Sequence, residues 1–254
     1  MEVTRHEPGS FSWAELGTSD AEAAKRFYTG LFGWTFVDSP AGPGMIYTML
    51  KKRGKSVGAL YKMGPEPKGA PPHWTTYVTV ASADESARKA KGLGARVLAE
   101  PFDVMDVGRM ATIQDPQGAV LCVWQPRKNI GAEVLNEPNA MCWCELDTND
   151  TKGAVPFYTG LFGWGTKGGG EYTEWQRNGV SIGGLMKIPK EWGPVPPSWL
   201  IYFEVEDCDR TAARAKELGG GTVVDPTDVG EVGRWAVVRD PQGAVFAVIQ
   251  PKKR

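Results

Sequence analysis

Two stretches of the chain carry the same pair of side chains two residues apart: Trp13 with Glu15, and Trp143 with Glu145. On a strand, residues two apart share a face, so each pair sets an indole beside a carboxylate and turns Leu16 or Leu146 the other way. Further residues recur in register: Tyr47 with Tyr172, Trp74 with Trp199, Tyr77 with Tyr202, and Arg109 with Arg234. Trp and Tyr faces suit a flat, largely apolar or aromatic ligand, with stacking contributing about 0.5–1.5 kcal/mol per pair beyond area burial. A glutamate in a dry, aromatic site has its pKa raised, which suits it to orient a hydroxyl or an amine, or to act as a general base. Glu15 and Glu145 are therefore the candidate catalytic residues. Trp13, Tyr47, Trp74, Tyr77, Trp143, Tyr172, Trp199 and Tyr202 are candidate ligand contacts. Structural readings stand beside these. The Trp pair fills volume, the glutamates cap backbone amides or pair with Arg109 and Arg234, and Trp74 and Trp199, each after a Pro pair, pack at a rim.

The elements that must position these residues are repeated as well. Phe-Tyr-Thr-Gly-Leu-Phe-Gly-Trp occurs at Phe27–Trp34 and Phe157–Trp164, and Asp-Pro-Gln-Gly-Ala-Val at Asp115–Val120 and Asp240–Val245. The order is kept, so the chain is a tandem duplication of a unit of about 125 residues. The reading is residues 1–129 for the first domain, 130–139 for a linker and 140–254 for the second domain. Asp20 caps a helix that lines up Ala24, Phe27 and Leu31 and stops at Gly33; Asp150 starts its counterpart. Strands are expected before each helix, at 11–17 and 141–148, and three strand-like pieces after it. The pattern then restarts within each copy, with Ser82 to Glu85 in capping-box form and Asp207 as the matching cap. The fold class is α+β: four βαβββ modules, two per domain. Paired modules bend their sheets into a half-open barrel around a cup, a place for a small ligand. Which modules pair to form each cup stays open. Phe27, Tyr28, Phe32 and Trp34 read as core and turn residues, and Asp-Pro-Gln-Gly as a turn.

With 254 residues the chain has room for two cores. A hydrophobic share of 41% and a net charge of −1 mark a globular protein with no electrostatic case for nucleic acid or an anionic membrane. No apolar run reaches the ~18 residues that span a bilayer, and the first twelve residues lack a signal-peptide core. A cytoplasmic protein, monomer or homodimer, is expected. The four cysteines, Cys122, Cys142, Cys144 and Cys208, do not match between the copies, so they form no shared disulfide or metal framework.

The run Leu16-x-x-x-Asp20, Phe27-Tyr28, Leu31-x-Gly33-Trp34 and Asp115-Pro116-x-Gly118 resembles the vicinal oxygen chelate superfamily, which includes glyoxalase I, bleomycin-resistance proteins and extradiol dioxygenases. The resemblance covers nearly the whole chain, twice, and is closest to tandem-domain actinobacterial members. It implies metal-ligand positions at Trp13 and Trp143, at Thr75 and Leu200, at Cys122 and Ala247, and within 57–60 and 182–185. None of these carries the family's His, Glu or Gln. Thr75 and Cys122 join the candidate ligand contacts as residues at former ligand positions. Only His6 and His73 are available as histidines, so no metal site and no cofactor are expected. The resulting expectation is a metal-independent, glyoxalase- or bleomycin-resistance-like protein that binds a small aromatic metabolite or antibiotic. Alternatives are a metal-free isomerase, cyclase or hydroxylase-type enzyme using a cup-facing Glu as base, and, behind it, a metal-dependent glyoxalase or dioxygenase. Whether the chain is an enzyme is left open.

Overall fold

The computed structural model describes residues 1–64 and 70–252, so the last two residues of the second expected domain lie outside it. The first half runs β1 (Phe11–Thr18), α1 (Ala21–Phe32), β2 (Thr35–Gly42), β3 (Met45–Lys52), β4 (Lys55–Lys62), β5 (His73–Thr79), α2 (Ala83–Gly92), β6 (Arg96–Val104), β7 (Gly108–Gln114) and β8 (Val120–Pro126). The second half repeats it as β9 (Met141–Thr148), α3 (Thr151–Phe162), β10 (Gly165–Gly169), β11 (Tyr172–Arg177), β12 (Val180–Lys187), β13 (Ser198–Glu204), α4 (Cys208–Glu217), β14 (Gly221–Val229), β15 (Gly233–Arg239) and β16 (Val245–Pro251). One three-residue 3-10 turn, Lys190–Trp192, precedes β13.

The helices begin and end where the sequence places them. Asp20 accepts from the Ala23 amide and Asp150 from the Gly153 amide, while Gly33 and Gly163 close α1 and α3 in the left-handed region. Each half forms one eight-stranded mixed sheet, in the order β2-β3-β4-β1-β5-β8-β7-β6 and its counterpart β10-β11-β12-β9-β13-β16-β15-β14. The antiparallel β1–β5 and β9–β13 pairs join the two modules of a half. Each cup is therefore built from adjacent modules of the same half, which answers the pairing question left open by the sequence.

The helix-bearing faces of the two sheets share one core. It contains Leu16, Phe27, Tyr28 and Trp74 from the first half with Leu146, Phe157, Phe203 and Phe246 from the second. The repeated octapeptide makes this joint. Phe32 packs on Phe203 with ring centroids 5.2 Å apart. At Gly30 an added Cβ would meet Leu218 at 3.0 Å, and at Gly160 it would meet Leu93 at 3.1 Å, so the glycines let each helix approach the other half. The repeated turns complete the joint. Tyr28 donates to Asp240 at 3.0 Å, and Tyr158 donates to Asp115 at 2.7 Å. The remaining oxygen of each Asp gathers its own turn's amides. The Asp-Pro-Gln-Gly motif is thus both a turn and a clamp between halves.

The opposite faces carry separate, smaller clusters. One holds Trp13, Ala59, Tyr77, Cys122, Trp124 and Ala132; the other holds Leu200, Tyr202, Val237 and Ala247. Residues 130–139, read as a linker, do not run free. The Ala132 amide donates to the Ser12 carbonyl at 2.7 Å, and the Glu133 amide donates to the Ser56 carbonyl at 2.7 Å. Glu2 bridges Val134 and the His6 ring contacts the Ala132 carbonyl, so the N-terminal stretch also has a place. Among the described residues, no helix is long and apolar enough to cross a membrane.

Candidate functional site

Strand alternation puts Trp13 and Glu15 on the concave face of the first sheet and Leu16 in the core. Trp13, Tyr77 and Cys122 form one row across β1, β5 and β8 by direct pairing. The next row pairs Glu15 with Ala59 and Thr75. The Glu15 carboxylate accepts from the Tyr47 hydroxyl at 2.6 Å and from the Tyr77 hydroxyl at 2.8 Å. The Trp13 indole N–H donates to the Tyr47 oxygen at 3.2 Å. The glutamate therefore neither caps the backbone nor meets Arg109. Burial raises its pKa, and the two tyrosine hydrogen bonds and the charge of His73 oppose the shift.

The second cup repeats this with different margins. Its row across β9, β13 and β16 is Trp143, Tyr202 and Ala247, and Glu145 pairs with Gly184 and Leu200. Tyr202 donates to Glu145 at 2.7 Å, and the Trp143 indole donates to the Tyr172 oxygen at 3.0 Å. Burial again raises the glutamate, with hydrogen bonds from Tyr172 and Tyr202 opposing. Gly184 is what lets this happen. A Cβ there would lie 2.1 Å from the Tyr172 hydroxyl and 3.0 Å from the Trp143 ring nitrogen. Tyr202 also stacks on Trp235 at 6.1 Å.

The structure brings together Trp13, Glu15, Tyr47, Thr75, Tyr77 and Cys122 in one cup, and Trp143, Glu145, Tyr172 and Tyr202 in the other. It does not place Trp74 or Trp199 with them. Both lie one residue out of phase, point into the shared core and donate to tyrosines there: Trp74 to Tyr28 at 2.9 Å and Trp199 to Tyr158 at 3.0 Å. Neither faces a cup. Arg109 and Arg234 also leave the site, gripping Asp84 with Asp103 and Asp209 with Asp228 at the surface.

One residue of the second cup escaped the reading of the sequence. Asp147 follows Glu145 by two on β9 and shares its face; the first half has Gly17 there. The failed match between copies at this position was the available signal. Asp147 is only 6% exposed, and its Oδ1 has no hydrogen-bond partner. Burial, and then the charge of Glu145, push its pKa up to about 8.

The residues at the superfamily's metal positions do not fit a divalent ion. Trp13, Trp143, Leu200 and Ala247 supply no donor. Cys122 offers a single thiol, pushed up to about 12 by burial, with no second strong donor on its row. His73 sits four strand residues from the Tyr77–Cys122 pair, roughly 13 Å at strand rise, and its ring contacts the Pro71 carbonyl. Among the described residues no group of three or more His, Cys, Asp or Glu forms a candidate cluster. A surface groove of about 620 Å³ lies elsewhere, between the end of α1 and α4. It is walled by Asp207, Arg210, Arg214 and Glu217 and has none of the recurring aromatics.

Comparisons with known proteins agree with this architecture. The family model for the Glyoxalase/Bleomycin resistance protein/Dioxygenase superfamily matches twice, over residues 10–123 and 140–248. A protein called putative glyoxylase CFP32 from Mycobacterium tuberculosis is 39% identical over 98% of this chain and 97% of its own length. The anthracycline biosynthesis protein DnrV of Streptomyces peucetius is 36% identical over 98% and 95%. Among solved structures, the Mn(II)-bound glyoxalase from Novosphingobium aromaticivorans matches with a TM-score of 0.69 at 18% identity, covering 96% of this chain and 82% of that one. The 2,3-dioxygenase LapB from Pseudomonas matches with a TM-score of 0.65 at 14% identity, covering 98% and 92%. At those identities the structural likeness speaks for the fold alone.

Proposed function

The chain belongs to the Glyoxalase/Bleomycin resistance protein/Dioxygenase superfamily, and we propose that it binds a small, flat, aromatic-rich molecule on a concave sheet face without a resident metal. The observation that carries this reading is the constellation repeated in both cups: a buried glutamate held by tyrosine hydroxyls beside an indole that occupies a position where the resemblance implies a metal ligand. Aromatic walls supply stacking and apolar area, and the glutamate supplies one directional acceptor. The name of the Streptomyces relative, an anthracycline biosynthesis protein, supports a polycyclic aromatic ligand class.

A second reading makes Glu145 a general base in a metal-free tailoring step on such a molecule. The upward push on its pKa favours it, because a base works best with a pKa near the operating pH. Titration with a hydroxyanthraquinone, followed by tryptophan fluorescence, tests the binding reading. Saturable quenching is expected, weakened roughly tenfold in Trp143→Ala. No saturable signal, or one unchanged by Trp143→Ala and Trp13→Ala alike, would refute it. Under the catalytic reading Glu145→Gln spares that binding and removes turnover; turnover that survives Glu145→Gln discards the role of base.

A further inference from the structure

The two cups share a plan and differ in three linked places. The first difference is cover. In the first cup Trp124 donates to the Asn129 carbonyl, and Ala132 and Leu135 of the connecting segment pack against the aromatic cluster. Trp13 is left 4% exposed. In the second half Ile249 replaces Trp124 in the aligned strand, Trp143 is only half-buried, and Tyr172 is 39% exposed. The second difference is room. The positions flanking the glutamate row are Ala59 and Cys122 in the first cup, against Gly184 and Ala247 in the second. The first cup is filled by its own side chains and the connecting segment, and the second stays open.

The third difference is charge. In the first cup Gly17 pairs with Tyr61, whose hydroxyl would lie 3.2 Å from a Cβ at that glycine. In the second cup Met186 takes the tyrosine's place and Asp147 the glycine's. Two carboxyls, Glu145 at 4% and Asp147 at 6% exposure, thus share one face of β9. No positive charge from the described residues acts on either. Tyrosine hydroxyls act on Glu145, and Glu145, Tyr172 and Tyr202 face Asp147. Burying two carboxyls without a cation is costly, and a purely structural pair would have a donor aimed at it. Here Asp147 Oδ1 has none.

We propose that the second cup is the working one and that its ligand carries a protonated amine, seated between the Glu145 and Asp147 carboxyls and walled by Trp143, Tyr172 and Tyr202. Asp147 carries its proton near pH 7 in the free protein; an ammonium seated beside it drives that proton to solvent and brings three N–H donors to the two carboxylates. Aromatic faces attract the same cation through their quadrupole, most strongly when it is desolvated. The proposal rests on the aromatic-binding reading above and adds the ligand's charge and the cup that takes it.

Three matched probes test it by isothermal titration calorimetry at pH 7: 2-naphthylmethylamine, 2-naphthylmethanol and 2-naphthoate. The cation is expected to bind roughly tenfold or more tightly than the neutral alcohol, and the anion least. Asp147→Asn should abolish that preference. Equal affinity for amine and alcohol in the wild-type protein overturns the proposal and leaves the aromatic cup standing. So does a cation preference that survives Asp147→Asn in a folded variant. Failure of all three probes to bind overturns both.

Discussion

Glu15 and Glu145 are held by the same tyrosines, yet a single neighbour separates their chemistry. Asp147 brings a second carboxyl to the open cup, where Gly17 brings none to the closed one. The groups facing Asp147 are Glu145 on its own strand, Tyr172 from β11 and Tyr202 from β13. Its pKa of about 8 lies above the ~3.9 of an unfolded aspartate. The folded chain therefore holds this proton more tightly than the unfolded chain. The stabilisation is complete below about pH 4 and is lost progressively as pH rises through 8. Urea denaturation of the wild-type protein between pH 5 and 9 should show this decline. Asp147→Asn, neutral throughout, should flatten it and be the more stable form at pH 9. A parallel decline in both proteins would place the titration elsewhere. Gly184 offers a second handle at this scale. Gly184→Ala forces the Tyr172 hydroxyl and the Trp143 indole from their positions. The hydroxyl is the far end of a side chain, so the melting temperature should move little while aromatic affinity falls several-fold. Unchanged affinity would mean that Tyr172 does not shape the cup.

Among the elements, the helices and their partner turns do more than their local patterns announce. The octapeptide and the Asp-Pro-Gln-Gly turn meet across the halves, where Tyr28 reaches Asp240 and Tyr158 reaches Asp115. Tyr158→Phe leaves a buried Asp115 oxygen without its donor and should cost about 1–3 kcal/mol in a denaturation experiment. A change within a few tenths would show that the clamp carries no weight. The sequence could not reveal this contact, because a turn motif states its own geometry and not what lies opposite it. It did state the βαβββ order, the caps at Asp20 and Asp150, and the cup-facing parity of Trp13, Glu15, Tyr77 and Tyr202. It hid β2 and β10. Both are edge strands exposed at every residue, and β10 reads Gly-Thr-Lys-Gly-Gly. Neither has a buried face to impose a period, and pairing with β3 or β11 makes them strands. Trp74 and Trp199 were misplaced for the reverse reason. Recurrence in both copies marks shared architecture as readily as a shared site, and their phase beside Thr75 and Leu200 puts them in the core.

At the scale of the molecule, two sheets back onto one core and face outward with unequal cups. Phe32 of the first half is buried against Phe203 and Phe246 of the second. A fragment of residues 140–254 should therefore self-associate through its helix-bearing face or fail to give a native near-ultraviolet dichroism spectrum. A folded monomer would show the halves to be independent. The duplication allows one cup to close under the connecting segment while the other stays open with two carboxyls. The central claim is that this open cup binds without a metal. Its most direct measurement pairs elemental analysis of the untagged protein with hydroxyanthraquinone titrations before and after chelation. Metal far below one equivalent per chain and the same affinity in both titrations are expected. One tightly held metal per half, with binding lost on its removal, would contradict it.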